Sequence, residues 1–201
     1  MKVKICGVRD VESAQTALAA GADFLGFNFV PTSKRYVEPS RAADIIASLS
    51  PTIQAVGIFR DETRVEIERI VKAVPLSFLQ LHGAESPEFC ASLPLPVIKA
   101  LSLEKDASAE EVRAQIARYT SIHVFLLDRY KQGIGERLPL PLIAELARDA
   151  KIIVAGGITP ENVREYASIP QLYGIDVAGG IETNGKPDRE KIMRFVQEAK
   201  R

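Results

Sequence analysis

Val3-Lys4-Ile5-Cys6-Gly7-Val8-Arg9, near the start of the chain, decides between two folds. It reads as a short apolar strand that runs into a loop with one glycine. Such a loop cannot form the Gly-x-Gly-x-x-Gly turn with which the first strand of a doubly wound sheet cradles a pyrophosphate. Beyond it, short β-rich runs alternate with amphipathic segments, the pattern of repeated βα units around a parallel sheet. The strand candidates are Val3 to Cys6, Phe24 to Phe29, Ile53 to Phe59, Ser77 to Leu81, Val97 to Leu101, Ile122 to Leu127, Ile152 to Ala155 and Tyr173 to Val177. Eight such units predict an α/β fold, a (β/α)8 TIM barrel, formed as one domain over residues 1–201. That length is at the small end for this architecture, so the loops must be short. Helix starts are marked by Asp10, Asp61, Ser86 before Pro87, Ser108 with Glu111 as a capping box, Thr159 before Pro160, and Asp188. Gly21 closes the first helix.

Composition narrows the function. The chain is 46% hydrophobic and 26% charged, with no formal net charge. Its basic residues are scattered, which argues against nucleic acid or an anionic membrane as a general partner and leaves room for a small anion. No stretch approaches the roughly 18 apolar residues of a membrane span. MKVKICG has no signal-peptide core, so a soluble, cytoplasmic protein is expected. Two cysteines, Cys6 and Cys90, make no disulfide framework, and two distant histidines, His82 and His123, lack metal-ligand spacing.

In such a barrel, function belongs at the C-terminal ends of the strands. Cys6, Asn28, His82, Asp128, Gly156-Gly157 and Asp176 all fall there. Cys6 is either a small core residue or a base. Cys90, mid-helix, and His123, within an apolar strand, read as structural, while His82 fits either role. Asp128 ends the run His123-Val124-Phe125-Leu126-Leu127, where a carboxylate is costly unless hydrogen-bonded or functional. Its alternative role is a cap or a loop salt bridge to Arg129 or Lys131. Strand six lies across a barrel from strand one, so Asp128 and Cys6 would face each other as acid and base. Independently, Gly156-Gly157 and Gly179-Gly180 follow the last two strands, where exposed N–H groups can hold a phosphate. Tight turns also need glycine pairs, so the placement after consecutive strands carries the inference.

Lys4-Ile5-Cys6-Gly7, Gly21-Ala22-Asp23 with Leu25-Gly26-Phe27, Ser33-Lys34-Arg35-Tyr36-Val37, Gln80-Leu81-His82-Gly83, Leu126-Leu127-Asp128, Ala155-Gly156-Gly157-Ile158 with Pro160-Glu161-Asn162-Val163, and Asp176-Val177 with Gly180-Ile181-Glu182 occur in this order. Together they resemble the phosphoribosylanthranilate isomerase family of tryptophan biosynthesis. The resemblance implies an Amadori rearrangement of an aminoaldose to an aminoketose, an aldose-ketose isomerisation that needs no cofactor and no metal. Asp128 would protonate the ribose ring oxygen and the Cys6 thiolate would remove the C2′ proton. Arg35 would anchor the anthranilate carboxylate, with His82 and Asp176 as further substrate-binding residues. Without the resemblance, Arg35 reads as an exposed loop arginine beside Lys34. The implied partner is a small phosphoribosyl substrate, and the protein would be a monomer or homodimer.

A thiol ionises near pH 8.5 unless a positive charge or dipole is close. Lys4 and Cys6 are two apart on one strand and share a face. Strand eight closes the barrel beside strand one, so a buried Lys4–Asp176 pair is expected to bias Cys6 toward thiolate. Two departures from the family stand out. After Asp128 the family's Gly-Gly-Thr/Ser-Gly turn and Phe-Asp-Trp are replaced by Gln132-Gly133-Ile134-Gly135-Glu136-Arg137-Leu138-Pro139-Leu140. After the last strand its serines are replaced by Ala178 and Gly179, which removes side-chain donors from the phosphate loop, so active but weaker substrate binding is expected. The rival functions are the histidine-pathway isomerase, whose base is an Asp where this chain has Cys6, a dual-substrate enzyme, and a non-catalytic phosphometabolite-binding barrel.

Overall fold

The computed structural model describes residues 1–49, 53–129 and 137–201. Eight parallel strands close in chain order: β1 (Lys2–Cys6), β2 (Phe24–Asn28), β3 (Gln54–Phe59), β4 (Phe78–Leu81), β5 (Val97–Leu103), β6 (Val124–Arg129), β7 (Lys151–Val154) and β8 (Gly174–Val177). The barrel shuts where β8 pairs with β1, with Lys4 opposite Asp176. The returning helices are α1 (Val11–Ala20), α2 (Pro39–Ala47), α3 (Arg64–Ala73), α4 (Pro87–Ala91), α5 (Ala109–Ala117), α6 (Leu140–Leu146), α7 (Val163–Ala167) and α8 (Arg189–Lys200). The (β/α)8 expectation is met. Among the described residues no helix is long and apolar enough to cross a membrane.

Strand alternation divides the apolar residues into two cores. One set, including Val3, Ile5, Leu25, Phe27, Leu79, Leu81, Phe125, Leu127, Ile175 and Val177, packs under the helices. The other, Phe24, Val56, Ile98, Ala100, Leu126, Ile153 and Ala155, fills the barrel interior. Phe24 and Phe78 meet edge-on at 5.8 Å in that interior. The inner set therefore makes a packed floor, and residues of the same parity further along each strand stand above it at the C-terminal mouth.

Strand ends differ from the sequence reading by one or two residues, and the shift in β6 has a consequence. Its ladder with β5 continues through Ser102–Asp128 and Leu103–Arg129. Asp128 is thus held by a strand rather than carried on a loop. At the other end, His123 precedes β6 and is exposed, not within the strand as expected. Cys90 is buried in α4, as expected of a core residue.

Four of the expected helix caps are present: Asp10, Ser86, Asp188, and Ser108 with its reciprocal Glu111 bond. Gly21 ends α1 at φ 93°. Two expectations are corrected. Thr63, not Asp61, caps α3, because the Asp61 carboxylate accepts instead from the Ala84 N–H at 2.6 Å. Asn162, not Thr159, precedes α7, and its Oδ1 accepts from the Thr159 N–H at 2.8 Å. One element has no counterpart in the sequence reading. After a 3-10 turn at Gly179–Ile181, strands β9 (Glu182–Thr183) and β10 (Lys186–Pro187) form a hairpin. Asn184 and Gly185 turn it at φ 52° and 73°, the paired left-handed residues of a tight hairpin.

Candidate active site

Parity places Lys4 and Cys6, Asn28, Gln80 and His82, Asp128 and Asp176 on the side of the sheet that faces the barrel axis. Cys6 and Asp128 each retain partial exposure at the mouth. Going round the rim from Asp128 on β6, the strands are β7, β8 and then β1 with Cys6. Both glycine pairs lie between the two. The Asp128 Oδ1 accepts from the Arg129 N–H at 2.8 Å, while the Arg129 guanidinium turns to the Glu104 carbonyl at 3.3 Å. Lys131 lies outside the described residues, as do Gln132 to Glu136 of the altered loop.

The expected ion pair is present, with Lys4 Nζ 2.8 Å from Asp176 Oδ1 and side chains 0% and 8% exposed. Its effect on the thiol is the reverse of the expectation. Burial and the Asp176 carboxylate push Cys6 up to about 11, against the lowering by Lys4 and Arg35. Burial is the largest cause, because it disfavours the thiolate, and the Asp176 negative charge on the same inner face opposes the lowering by Lys4. Burial acts against the Lys4 charge too, but Asp176 and Cys6 outweigh it and hold the ammonium above its ordinary value. Removing the carboxylate charge leaves Lys4 uncompensated beside the sulfur. Asp176→Asn is therefore expected to lower the Cys6 pKa and speed its alkylation by iodoacetamide at pH 8 about tenfold; an unchanged rate would refute this account of the thiol.

Arg35 is half-buried rather than an exposed loop residue. Its Nε and Nη2 donate to the two oxygens of Glu182 at 2.6 and 2.8 Å. Asn28 organises the loop that carries it. The Asn28 amide donates to Ser33 Oγ at 3.1 Å and accepts from the Val30 N–H at 2.9 Å, and Ser33 Oγ accepts from the Arg35 N–H at 3.1 Å. The Arg35 stem lies on Gly7, at φ +81°, where a Cβ would stand 2.4 Å from Arg35 Cδ. Glycine at the end of β1 thus lets the guanidinium reach the Cys6 and Asp176 side of the mouth.

His82 contacts the Gln80 side chain. Burial, with the charges of Lys4, Lys99 and Arg60, lowers its pKa to about 3. His82 is therefore a neutral hydrogen-bonding group at ordinary pH, not a cation for an anionic substrate. Its loop is braced from behind. Lys99 Nζ donates to Glu85 Oε2 at 2.7 Å and to the Gly83 carbonyl at 2.7 Å, and Glu85 Oε1 accepts from the Asp61 and Gly83 N–H groups at 2.9 and 3.1 Å.

The glycine pairs differ in what requires them. Gly156 and Gly157 both have positive φ, 90° and 65°, and Asn162 Nδ2 holds the Gly157 carbonyl at 2.9 Å. Two successive residues of positive φ make a turn that glycine accommodates without strain. Among the described residues neither N–H has a backbone partner. At Gly180 a Cβ would stand 1.9 Å from the Ile158 carbonyl oxygen, so the β7 and β8 loops touch only because this residue is glycine. Gly179 is different, since a Cβ there meets Arg35 Nη2 alone at 3.4 Å. Serine fits at that position.

Two participants were missed. Gln80 was noted only within a motif, yet it is fully buried beside His82. Glu182 was noted only within a motif. Its signal was Asn184-Gly185, a hairpin turn that brings the following chain back to the mouth.

Comparison with known proteins adds an independent line. The family model described as N-(5'phosphoribosyl)anthranilate (PRA) isomerase matches residues 3–198. The N-(5'-phosphoribosyl)anthranilate isomerase of Desulfitobacterium hafniense (strain Y51) is 36% identical, covering 100% of this chain and 98% of its own. The crystal structure of phosphoribosyl anthranilate isomerase from Thermus thermophilus superposes with a TM-score of 0.88 at 37% identity, covering 98% of both chains. Another phosphoribosyl anthranilate isomerase, solved in complex with reduced 1-(o-carboxyphenylamino)-1-deoxyribulose 5-phosphate, has a TM-score of 0.87 at 32% identity, over 100% of this chain and 98% of that one. Barrel, ordered motifs and full-length similarity agree: the chain belongs to the N-(5'-phosphoribosyl)anthranilate isomerase family.

Proposed function

We infer that the chain isomerises N-(5'-phosphoribosyl)anthranilate to 1-(2-carboxyphenylamino)-1-deoxyribulose 5-phosphate. The observation that carries this reading is the arrangement of the rim: Cys6 and Asp128 on inner-face positions of β1 and β6, with the two glycine-lined loops between them. A phosphate held on the N–H groups of Gly156, Gly157, Gly179 and Gly180 places the ribose between acid and base. Asp128 gives its proton to the ring oxygen, the furanose opens to the Schiff base, and Cys6 takes the proton from C2′. The resulting enolamine gains a proton at C1′ and loses one from the C2′ hydroxyl, which yields the ketone. Reactant and product are isomers, so no electron acceptor enters the balance. Arg35 offers its planar fork to the anthranilate carboxylate, with His82 and Asp176 as further substrate-binding groups. Cys6 also distinguishes this reading from the histidine-pathway reaction, whose base at the first strand is an Asp.

Addition of freshly prepared N-(5'-phosphoribosyl)anthranilate to the protein should give the aminoketose in equal yield without any added cofactor. Substrate lost only at its spontaneous rate would refute the reading. Because the thiol of the free site sits near 11, its base form increases about tenfold per pH unit below that value. Alkylation of Cys6 by iodoacetamide is therefore expected to speed up about tenfold per unit from pH 7 to pH 9, and a flat profile would contradict a thiol held above that range. Weaker substrate binding is also expected from the missing serines. Gly179→Ser should lower KM several-fold, since one hydrogen bond to a charged group contributes about 1.5–3 kcal/mol at most. No change in KM removes that explanation.

A further inference from the structure

We propose that Glu182 is the positioning residue for recognition of the substrate carboxylate, an inference that rests on the isomerase reading and extends it to a residue outside the acid/base pair. A guanidinium has five N–H donors in a rigid plane, enough for two carboxylates on two different edges. Glu182 takes the Nε/Nη2 edge of Arg35 with both oxygens, at 2.6 and 2.8 Å. Among the described residues, the Arg35 Nη1 group and second Nη2 hydrogen take part in no ion pair or hydrogen bond. The edge left over is the one a second, bidentate carboxylate requires. Glu182 therefore orients Arg35 without consuming its binding edge.

Glu182 is itself fixed. Its side chain is 10% exposed, its carbonyl accepts from Lys191 Nζ at 2.9 Å, and its backbone pairs with Pro187 in the hairpin. Arg9 ties that hairpin to the Arg35 loop, donating to the Gly185 carbonyl at 3.0 Å and the Lys34 carbonyl at 2.9 Å. Arg35 holds the Glu182 carboxyl below its ordinary range, so the pair stays charged through the neutral region. Gly7 under the stem and Gly179 beside Nη2 leave the rest of the guanidinium room at the mouth. Without Glu182, the long arginine side chain regains its rotamers and the fork must be ordered anew by each ligand.

The test uses two ligands, reduced 1-(o-carboxyphenylamino)-1-deoxyribulose 5-phosphate and its phenylamino counterpart lacking the carboxylate, titrated calorimetrically into wild type, Glu182→Gln and Glu182→Ala. Wild type should prefer the carboxylated ligand. Both variants should lose about tenfold of that preference while binding the phenylamino ligand as wild type does. A preference unchanged in both variants, whatever their thermal stability, overturns the role of Glu182. A residue that merely braced the hairpin would weaken both ligands alike, which also overturns it. Wild type that binds neither ligand refutes the isomerase reading instead, so the two failures are distinguishable.

Discussion

Asp128→Asn is expected to lower kcat by two to four orders of magnitude with little change in affinity for the reduced product. General acid catalysis by a positioned side chain typically contributes about 10²–10⁴. The amide keeps the shape of the carboxyl and can still accept the Arg129 N–H that the carboxylate accepts at 2.8 Å. What it cannot do is give a proton to the ring oxygen. Because Asp128 sits within the β5–β6 ladder, opposite Ser102, its backbone position does not depend on the altered loop that follows. An amide variant with undiminished kcat would remove Asp128 from the mechanism. One with undiminished kcat but a raised KM and weakened ligand binding would make it a substrate contact only.

Lys4→Met is expected to cost about 3–5 kcal/mol of stability, the usual consequence of leaving one member of a buried pair uncompensated. Asp176 is only 8% exposed, and Lys4 Nζ is its one ion-pair partner among the described residues. The expected signature is a lower denaturant midpoint at neutral pH. Lys4→Met with Asp176→Asn should be more stable than the sum of the single changes predicts, because the second substitution removes the charge the first exposed. Strict additivity would show that the pair is not coupled. The Cys6 thiol should also move further up in Lys4→Met, since Lys4 is one of the charges that lower it.

The barrel was legible because its two cores are written at strand period. Val3 and Ile5 alternate with Lys4 and Cys6, and Asp128 sits two beyond the interior Leu126. Parity alone therefore brought Cys6, His82, Asp128 and Asp176 to one mouth, and the Lys4–Asp176 pair followed from the closing register. The charge state of Cys6 was not legible. It depends first on burial of the sulfur and then on how the Asp176 charge opposes those of Lys4 and Arg35, a balance that no spacing encodes. Asp61 and Thr159 looked like caps because their residue types cap well, yet each was displaced by a better-placed neighbour, Thr63 and Asn162. Glu182 escaped notice because its partner, Arg35, is remote in sequence and they meet only when the Asn184-Gly185 hairpin folds back over the end of β8. Residues specified by local chemistry were readable, and those specified by pairing across the rim were not.

The central claim is that the Cys6 sulfur removes the C2′ proton. It is tested most directly by the turnover of N-(5'-phosphoribosyl)anthranilate carrying hydrogen or deuterium at C2′, with wild type and Cys6→Ser. A serine hydroxyl is a far weaker proton acceptor in the same place, so the account predicts at least a hundredfold loss of kcat, near-normal binding of the reduced product, and slower turnover of the deuterated substrate by the variant. Cys6→Ser that turns over at the wild-type rate would contradict it.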